Sequence, residues 1–414
     1  MKKELNLRLI NMVLRGLSMG SRFILIIGLT KLLAPSELGE YGLLFATLML
    51  SVSILGGEFH SYSMREVNAR PSSEWAFVVQ NQILAQSALL IVLFPLILLV
   101  FLFDFISSQY IFWFAGLLIL ELINQEVQYF LVSIHKQIVS SLILFFRFGP
   151  WVYIVLPLMY LNPEMNNIHT VLCAWTIESG LAVIVGGIAV WRSVPVWGRI
   201  LVDRDWIIRG LKTGAYFLLA ALSFRGLFTL DRYALEILGS PEELGVYVFY
   251  VGVVVGIINL LEPAVFSFMY PRMIQAYHQK QKKTYLKLFR ELSISTVLMS
   301  FSLSALLWLA MPFLIHWIDK PIYAEHYDSL AVLIGVGVVY ALGMIPHYWL
   351  YAVRKDRWII GAQVSSIFFY LIFVWFYQGG APVMTVALGM LVAFSLMALI
   401  KTTAYMMFRR NAFP

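Results

Sequence analysis

The sequence PSELGEY at residues 35–41 returns as PEELGVY at residues 241–247, and both stretches fit the pattern P-x-E-L-G-x-Y. The two glycines of the pattern are 206 residues apart in a chain of 414 residues. A motif that recurs after almost half of the chain indicates a duplicated unit. We call the two copies the heptapeptide repeat and use them to align the two halves.

The composition indicates a membrane protein. Hydrophobic residues make up 60% of the chain, charged residues make up 13%, and the mean hydropathy is +0.80. A water-soluble domain averages about 45–50% apolar and about 25% charged residues, so this chain is predicted to be polytopic. Cys173 is the single cysteine, which excludes an intrachain disulfide and a cysteine-based metal site.

Apolar runs of span length occur six times in each half, and they predict an all-α protein with about twelve transmembrane helices. The first run follows Met-Lys-Lys-Glu without a small-residue cleavage site, and we interpret it as a retained span. Because each half has an even number of spans, the sequence predicts two parallel six-helix repeats, residues 1–206 and 207–414. The runs lie at about residues 10–33, 41–55, 77–103, 110–134, 138–161, 168–191, 211–230, 244–270, 294–317, 330–353, 358–377 and 383–408.

The charged residues sort the connections into a basic side and a mostly acidic side. The positive-inside rule therefore predicts that both termini and the basic loops are cytoplasmic. This bias accounts for the net charge of +7 without a nucleic-acid partner. The long basic connection at residues 191–210 predicts an amphipathic helix in the cytoplasmic interface. The heptapeptide repeat falls on the outer side, where its Pro and Gly predict a tight turn with no binding role.

Several enzyme classes lack their motifs in this chain. The sequence contains no G-x-x-x-x-G-K-[ST] and no H-E-x-x-H pattern. The loops are also too short for a glycosyltransferase or ATPase domain. We therefore predict a protein that is not an enzyme, with no catalytic residue, no bound metal and no cofactor.

The predicted spans contain several arginines, among them Arg15, Arg22 and Arg225. A charge near the bilayer centre costs about 2.5–3.5 kcal/mol, so such groups usually face a protein interior or a water-filled cavity. Arg15 and Arg22 are seven residues apart and share one face of the first span. Aligned on the heptapeptide repeat, Arg22 and Arg225 differ by about one helical turn and fall on similar faces of equivalent helices. We predict that all three bind substrate in one central cavity, with snorkelling to the interface as the alternative for Arg15.

Acidic and amide side chains also lie within the spans. A polar stripe in the fourth span begins at Glu121 and continues at positions i+3, i+4 and i+7. Two interpretations stay open: ion pairs such as Glu121 or Glu126 with Arg147 and Asp231 with Arg232, or a part in cation or proton coupling. Prolines within spans predict kinks at residues 95, 150, 263 and 346. The candidate polar residues are Glu121, Asn124, Gln125, Gln128, Glu178, Asp231 and Glu262.

Several motifs occur in a characteristic order. KLLAPSELGEY at residues 31–41 follows the first span, Asp231-Arg232 closes the seventh span ahead of ELGVY at residues 243–247, and YPR at residues 270–272 closes the eighth. In this order they resemble the polysaccharide (O-antigen) flippases, the Wzx-type branch of the multidrug/oligosaccharidyl-lipid/polysaccharide (MOP) superfamily. The likeness covers the whole chain in span number and loop pattern.

The resemblance implies a MATE-like fold, with two six-helix bundles around a central cavity that works by alternating access. It implies a flippase for an undecaprenyl-pyrophosphate-linked oligosaccharide, such as an O-antigen unit, in the bacterial cytoplasmic (inner) membrane. Arg15, Arg22 and Arg225 resemble the basic residues that hold the pyrophosphate in such proteins. The implied partners are this lipid-linked oligosaccharide, membrane lipid, a polysaccharide polymerase and a chain-length regulator.

Three alternatives stay open. A multidrug exporter of the same superfamily would need acidic residues for cationic drugs, whereas the mid-span residues of the first and seventh helices are basic. A peptidoglycan-precursor exporter would share both the fold and the anionic cargo. A membrane polysaccharide polymerase, from a different class, usually needs a larger outer loop than the one at residues 316–328.

Overall fold

The computed structural model describes residues 2–199, 201–377 and 379–409, which form helices and connections without a β-strand. The fold is therefore all-α, as predicted. In the first half the helices are α1 (Lys2–Leu32), α2 (Pro35–Gly56), α3 (His60–Ala69), α4 (Trp75–Ile97), α5 (Leu99–Leu102), α6 (Ile111–Ser133), α7 (Gln137–Phe148), α8 (Pro150–Leu161) and α9 (Ile168–Trp191). In the second half they are α10 (Arg204–Leu238), α11 (Pro241–Ile258), α12 (Ser267–His278), α13 (Lys282–Ile318), α14 (Pro321–Glu325), α15 (Tyr327–Ala352), α16 (Asp356–Phe376) and α17 (Pro382–Phe408).

Within the described residues, eleven helices are long and apolar enough to cross a membrane, so the chain is a multi-pass membrane protein. The eighth predicted span, at residues 244–270, is broken. Its first part is α11, and the chain then passes through the π-helix Glu262–Phe266 into α12. Pro263 lies in this π-helix, where its missing N–H leaves a backbone carbonyl without its usual partner.

In the first half, the fifth span is broken and the second is not. The second span is the continuous helix α2, and Gly57 and Glu58, with positive φ angles of 58° and 50°, separate it from α3. The fifth span breaks between α7 and α8 at Gly149, and Pro150 then occupies the first turn of α8. A kink at Pro150 is confirmed, whereas Pro346 lies inside the continuous helix α15.

The chain divides by packing into two compact units. The first unit comprises Met1–Gly28 and Glu40–Arg225, and the second comprises Leu29–Gly39 and Gly226–Pro414. The division therefore falls inside α10, and the outer end of α1 and the start of α2 belong to the second unit. The predicted domains, residues 1–206 and 207–414, stay a prediction about the repeat.

Both copies of the heptapeptide repeat begin a helix, so the predicted tight turn is wrong. The proline of each copy is the first residue of α2 or α11, where a missing N–H costs no helical hydrogen bond. In the second copy, the Glu243 carboxylate accepts from the Ser240 backbone N–H at 2.8 Å, and the Ser240 hydroxyl accepts from the Glu243 N–H at 3.2 Å. This is a capping box, and in the first copy Glu37 likewise accepts from the Ala34 N–H at 3.2 Å.

The two copies contact each other through their glycines, within the second unit. A Cβ atom on Gly39 would lie 2.8 Å from the Pro241 carbonyl oxygen, and a Cβ atom on Gly245 would collide with the Pro35 backbone. Each glycine thus lets one helix start approach the other. The repeat is a reciprocal packing contact, which a pattern of residue types alone does not reveal.

Two lysines cap helix ends of the second unit reciprocally. Lys31, near the end of α1, donates from Nζ to the carbonyl of Ile318 at 3.1 Å, at the end of α13. Lys320, which follows α13, donates to the carbonyls of Thr30, at 2.7 Å, and Leu33. The last carbonyls of a helix lack intrahelical donors and carry partial negative charge, so each ammonium group stabilises the other helix end.

The interfacial helix predicted at residues 191–210 is only partly present, because residues 204–210 begin α10 and the connection before them is not helical. Its described residues are irregular, and Ile200, which the prediction included, lies outside them. Asn81 of α4 provides hydrogen bonds that a helix would otherwise supply. Its Nδ2 donates to the Leu201 carbonyl at 2.8 Å, and its Oδ1 accepts from the Asp203 N–H at 2.9 Å. The prediction failed for the connection because a distant side chain satisfies this backbone.

Candidate functional site

In the first unit, α1 packs along α7 and α8. Arg15 donates from Nε to the Ser141 hydroxyl at 3.3 Å, and the Ser21 hydroxyl donates to Tyr153 at 3.1 Å. Arg15 and Arg22 are both exposed, although Arg22 lies deep in its span. Because a charge at this depth is costly in lipid, we expect the guanidinium of Arg22 to face a protein interior or a water-filled cavity.

The guanidinium of Arg22 lies over an aromatic ring of α7. Its guanidinium carbon is 3.6 Å from the centroid of the Phe148 ring. The guanidinium carbon of Arg147 is 4.7 Å from the same centroid. Both distances are within the range of cation–π attraction. Phe148 therefore connects the exposed arginine of α1 with a buried arginine of its own helix.

Glu121 of α6 neutralises that buried arginine. The ion pair between Glu121 and Arg147 is almost inaccessible, with side-chain exposures of 0% and 7%. The other carboxylate oxygen of Glu121 accepts from Trp175 Nε1 at 2.9 Å and from the Ser179 hydroxyl at 2.8 Å. Of the two pairings left open by the sequence, the structure contains the one with Glu121. The carboxylate has its lone pairs occupied by protein donors.

The rest of the polar stripe on α6 is used in helix packing. Asn124 is fully buried and donates to the Ser179 carbonyl at 3.0 Å. Gln125 lies beside Gly56 of the second span, and the backbone carbonyl of Gln128 accepts from the Ser140 hydroxyl at 3.4 Å. These contacts give the stripe a structural role and leave its predicted role in coupling untested.

Glu126 and Glu178 differ in their surroundings. Glu126 lies off the stripe and accepts a hydrogen bond from Gln82 Nε2 at 2.5 Å. Glu178 of α9 is 8% exposed, and among the described residues it makes no hydrogen bond or ion pair. The structure therefore gives Glu178 no ion pair among the described residues, and its predicted part in coupling stays a prediction.

Arg225 has different neighbours from Arg22, although both belong to the first unit. Arg225 donates from Nη1 to the Ser53 hydroxyl and interacts electrostatically with Glu58 and His60 just after the second span. The structure therefore pairs Arg22 with Phe148 and Arg225 with the second span. Whether Arg225 also binds substrate stays a prediction.

In the second unit, Asp231 is fully buried and engaged by protein groups. It pairs with Arg232, whose Nη1 lies 3.1 Å from Oδ1. The Tyr247 hydroxyl, from the heptapeptide repeat, donates to Oδ2 at 2.8 Å. The sequence left open an ion pair of Asp231 with Arg232, and the structure contains this pair.

Glu262 is exposed and lies among tyrosines. Its Oε2 accepts from the Tyr348 hydroxyl at 2.9 Å, and its Oε1 accepts from the Ser267 hydroxyl at 3.3 Å. The ring of Tyr270 stacks on Tyr348 with a centroid distance of 5.3 Å, and Tyr340 is an electrostatic neighbour of Glu262. We call Glu262, Tyr270, Tyr340 and Tyr348 the tyrosine–glutamate cluster.

Sequence reasoning missed Lys401 of α17. Lys401 is 2% exposed, and among the described residues it makes no hydrogen bond or ion pair. It is an electrostatic neighbour of His347, whose buried Nδ1 also has no hydrogen-bond partner. The signal was available, because Lys401 is a single lysine inside an apolar run. No group of three or more potential metal ligands was found among the described residues.

No protein-family model and no curated protein matches the chain. Several solved structures do match the chain. The inward-facing conformation of a multidrug resistance MATE family transporter of the MOP superfamily matches with a TM-score of 0.76 and 14% identity, over 97% of this chain and 98% of that chain. The chain has the MATE fold.

Two further MATE-fold structures show how broad this similarity is. The outward-facing conformation of a multidrug resistance MATE family transporter matches with a TM-score of 0.57 and 15% identity, over 97% of this chain and 94% of that chain. A MOP superfamily transporter from Pyrococcus furiosus is described by a binding pocket of reverse polarity that suggests a different function. It matches with a TM-score of 0.58 and 13% identity, over 97% of this chain and 94% of that chain. At these identities the MATE fold is shown, and the substrate has to be argued from residues.

Proposed function

We propose that this chain is a flippase for a lipid-linked oligosaccharide joined through a diphosphate, with undecaprenyl pyrophosphate as the lipid carrier. The observation that supports it is the exposed guanidinium of Arg22, deep in α1 and stacked on Phe148 at 3.6 Å. Arg15 adds a second exposed arginine to the same helix. Planar guanidinium groups bind phosphate through paired hydrogen bonds, so this face suits an anionic head group.

A membrane transporter can solve the physical problem of moving a polar head group on a lipid carrier through the bilayer. A sugar head cannot cross hydrocarbon unaided, whereas the lipid tail can stay in the bilayer. A polar route lined by arginines neutralises the diphosphate during passage. The membrane potential, negative inside, favours outward movement of an anion by about 2.3 kcal/mol per charge at 100 mV.

We expect the protein to lie in the bacterial cytoplasmic membrane, with both termini in the cytoplasm according to the positive-inside rule. Movement from the inner to the outer leaflet would deliver units to a polysaccharide polymerase and its chain-length regulator.

A flipping assay tests the proposal. The purified protein is reconstituted in liposomes that carry a fluorescent undecaprenyl-pyrophosphate-linked oligosaccharide, and an impermeant quencher reports how much label has crossed. We expect the wild type to move the label and Arg22→Gln to lose most of this activity. Arg290→Gln, at an exposed arginine of α13, is the matched control. Movement by Arg22→Gln at the wild-type rate would refute the assignment.

A multidrug exporter is the second candidate, because the tyrosine–glutamate cluster favours organic cations. A carboxylate beside aromatic faces attracts cations by charge and by cation–π interaction. Export of a lipophilic cation that depends on Glu262, together with no movement of the diphosphate lipid, would support this alternative.

A polysaccharide polymerase is distinguished in cells. Deletion of the gene for a flippase leaves lipid-linked oligosaccharide on the inner leaflet, whereas deletion of a polymerase leaves unpolymerised units outside. We expect accumulation on the inner leaflet.

A further inference from the structure

We propose that Phe148 is a positioning residue, which holds the Arg22 guanidinium in the orientation that binds a diphosphate. This inference rests on the proposed function, because it concerns the same arginine. The geometry that carries it is the stack itself, in which the guanidinium carbon of Arg22 lies 3.6 Å from the ring centroid.

The local backbone places the ring. Phe148 is the last residue of α7, and Gly149 follows with φ −112° and ψ −76° before Pro150 begins α8. A Cβ atom at residue 149 would lie 2.6 Å from the Phe145 carbonyl oxygen, so only glycine fits. The break thus ends α7 at the residue whose ring carries Arg22.

A buried ion pair fixes the other neighbour of the ring. Arg147 lies 4.7 Å from the ring centroid and pairs with Glu121, which Trp175 and Ser179 hold by hydrogen bonds. The charge of Arg147 is therefore already neutralised inside the protein. Arg22 is the exposed cation at this ring, and the buried ion pair lies beside the ring.

Stacking determines what Arg22 can do. A guanidinium that lies flat on a ring keeps its N–H donors in its own plane, where they remain available at its edge. Phosphate oxygens are bound best by such paired, coplanar donors. Without the ring, Arg22 keeps its charge but samples many rotamers, so binding a diphosphate must also order the side chain.

The test measures binding of undecaprenyl pyrophosphate and of undecaprenyl phosphate to purified protein in nanodiscs by calorimetry. We expect Phe148→Leu to weaken diphosphate binding about tenfold, the size of a partly desolvated cation–π interaction, and Phe148→Tyr to stay within about twofold. The monophosphate, which engages fewer donors, should lose less. Phe146→Leu, at an exposed neighbouring phenylalanine in α7, is the matched control.

A double-mutant cycle separates positioning from general structure. Arg22→Lys keeps the charge but has no planar group to stack, so it should weaken diphosphate binding about tenfold in the wild type and little further in Phe148→Leu. Additive losses would overturn the proposal, because the ring would then act independently of the arginine. If Phe148→Leu does not fold, Arg22→Lys and Phe148→Tyr carry the test, and wild-type affinity in Arg22→Lys would overturn it.

The outcomes also separate this inference from the proposed function. Loss of binding in Arg22→Gln with wild-type affinity in Phe148→Leu would refute the role of the ring and keep the flippase. Wild-type diphosphate affinity in Arg22→Gln would remove the proposed function itself.

Discussion

The first unit exposes the arginines of α1 and buries the carboxylate of Glu121, whereas the second unit exposes Glu262 and buries the ammonium group of Lys401. The buried groups also differ in their partners. Glu121 is engaged by Arg147, Trp175 and Ser179, while Lys401 has no hydrogen bond or ion pair among the described residues. Among these four groups, the exposed charges of the two units are therefore opposite in sign.

This contrast separates what the duplication kept from what it changed. Both halves have the capped helix start of the heptapeptide repeat, and in both the helix that begins there, α2 or α11, is followed by an interruption of the α-helix. The charged residues have diverged. Helix caps and helix interruptions depend on a few local residues and tolerate changes elsewhere. The charge of a binding face, in contrast, can change sign with one substitution. We therefore expect the two units to respond differently to the same type of mutation.

The largest expected effect is on stability in the first unit. Arg147→Met leaves Glu121 buried without its counter-ion and should lower the free energy of unfolding by roughly 3–5 kcal/mol. Chemical denaturation in detergent, followed by tryptophan fluorescence, measures the change. The double variant Glu121→Gln with Arg147→Met should recover most of the loss. Arg290→Met, at an exposed position, is the control and should change stability by less than about 0.5 kcal/mol.

The second expected effect tests the opposite polarity of the units directly. Arg22→Gln should weaken binding of undecaprenyl pyrophosphate about 100-fold, which corresponds to roughly 2.7 kcal/mol, the range of charge-assisted hydrogen bonds. Glu262→Gln should leave this affinity within about twofold. Calorimetry on both variants measures it. Equal losses of affinity in the two variants would contradict the opposite polarity of the units, because residues of both units would then contribute to binding the anion.

A third prediction concerns Lys401 of the second unit. Lys401→Met removes a buried ammonium group that has no partner within the described ranges and should raise the free energy of unfolding by about 1–3 kcal/mol. Lys212→Met, at an exposed lysine of α10, should have little effect. A loss of stability in Lys401→Met would mean that Lys401 has a partner that the described residues do not supply.

The smallest effect is a pH dependence at Lys320, a lysine of the same unit that has carbonyl partners. Burial, with a smaller contribution from the charge of Lys31, lowers the pKa of Lys320 to about 8, although Glu37 opposes this. An unfolded lysine titrates near pH 10.4, so between about pH 8 and that value the unfolded chain holds more protons. The contribution of Lys320 to stability therefore rises with pH in that window.

Unfolding of the wild type and of Lys320→Gln at several pH values checks this sign. The wild type should gain stability relative to the variant from pH 8 to pH 10. A difference that does not change with pH would contradict the shifted titration of Lys320.

Much of the fold could be predicted from sequence, because it depends on composition and local pattern. The all-α class, the spans and the break at Pro150 follow from apolar runs and from proline. The eighth span shows the limit: a kink at Pro263 was predicted, but the π-helix at Glu262–Phe266 that separates α11 from α12 was not. The heptapeptide repeat was located correctly but assigned to a turn, because a capping glutamate and a turn glutamate look alike in sequence.

The candidate site was predicted in residue type and only partly in arrangement. The pair of Glu121 with Arg147 was one of two options, and only packing of α6 on α7 selects it. Phe148 gave no signal, because one phenylalanine among many in an apolar helix is ordinary. Lys401 was visible in the sequence and was overlooked.

The sequence by itself determined the membrane class, the all-α fold and the positions of the heptapeptide repeat and of the prolines within spans, since these follow from hydropathy and from residues a few positions apart. The tertiary structure alone decided which charges are paired and which are exposed. Glu121 meets Trp175, and Glu262 meets Tyr348, across 54 and 86 residues of chain. The sign of the charge that each unit presents depends on such contacts, because a buried charge persists at low cost only where distant donors or counter-ions reach it.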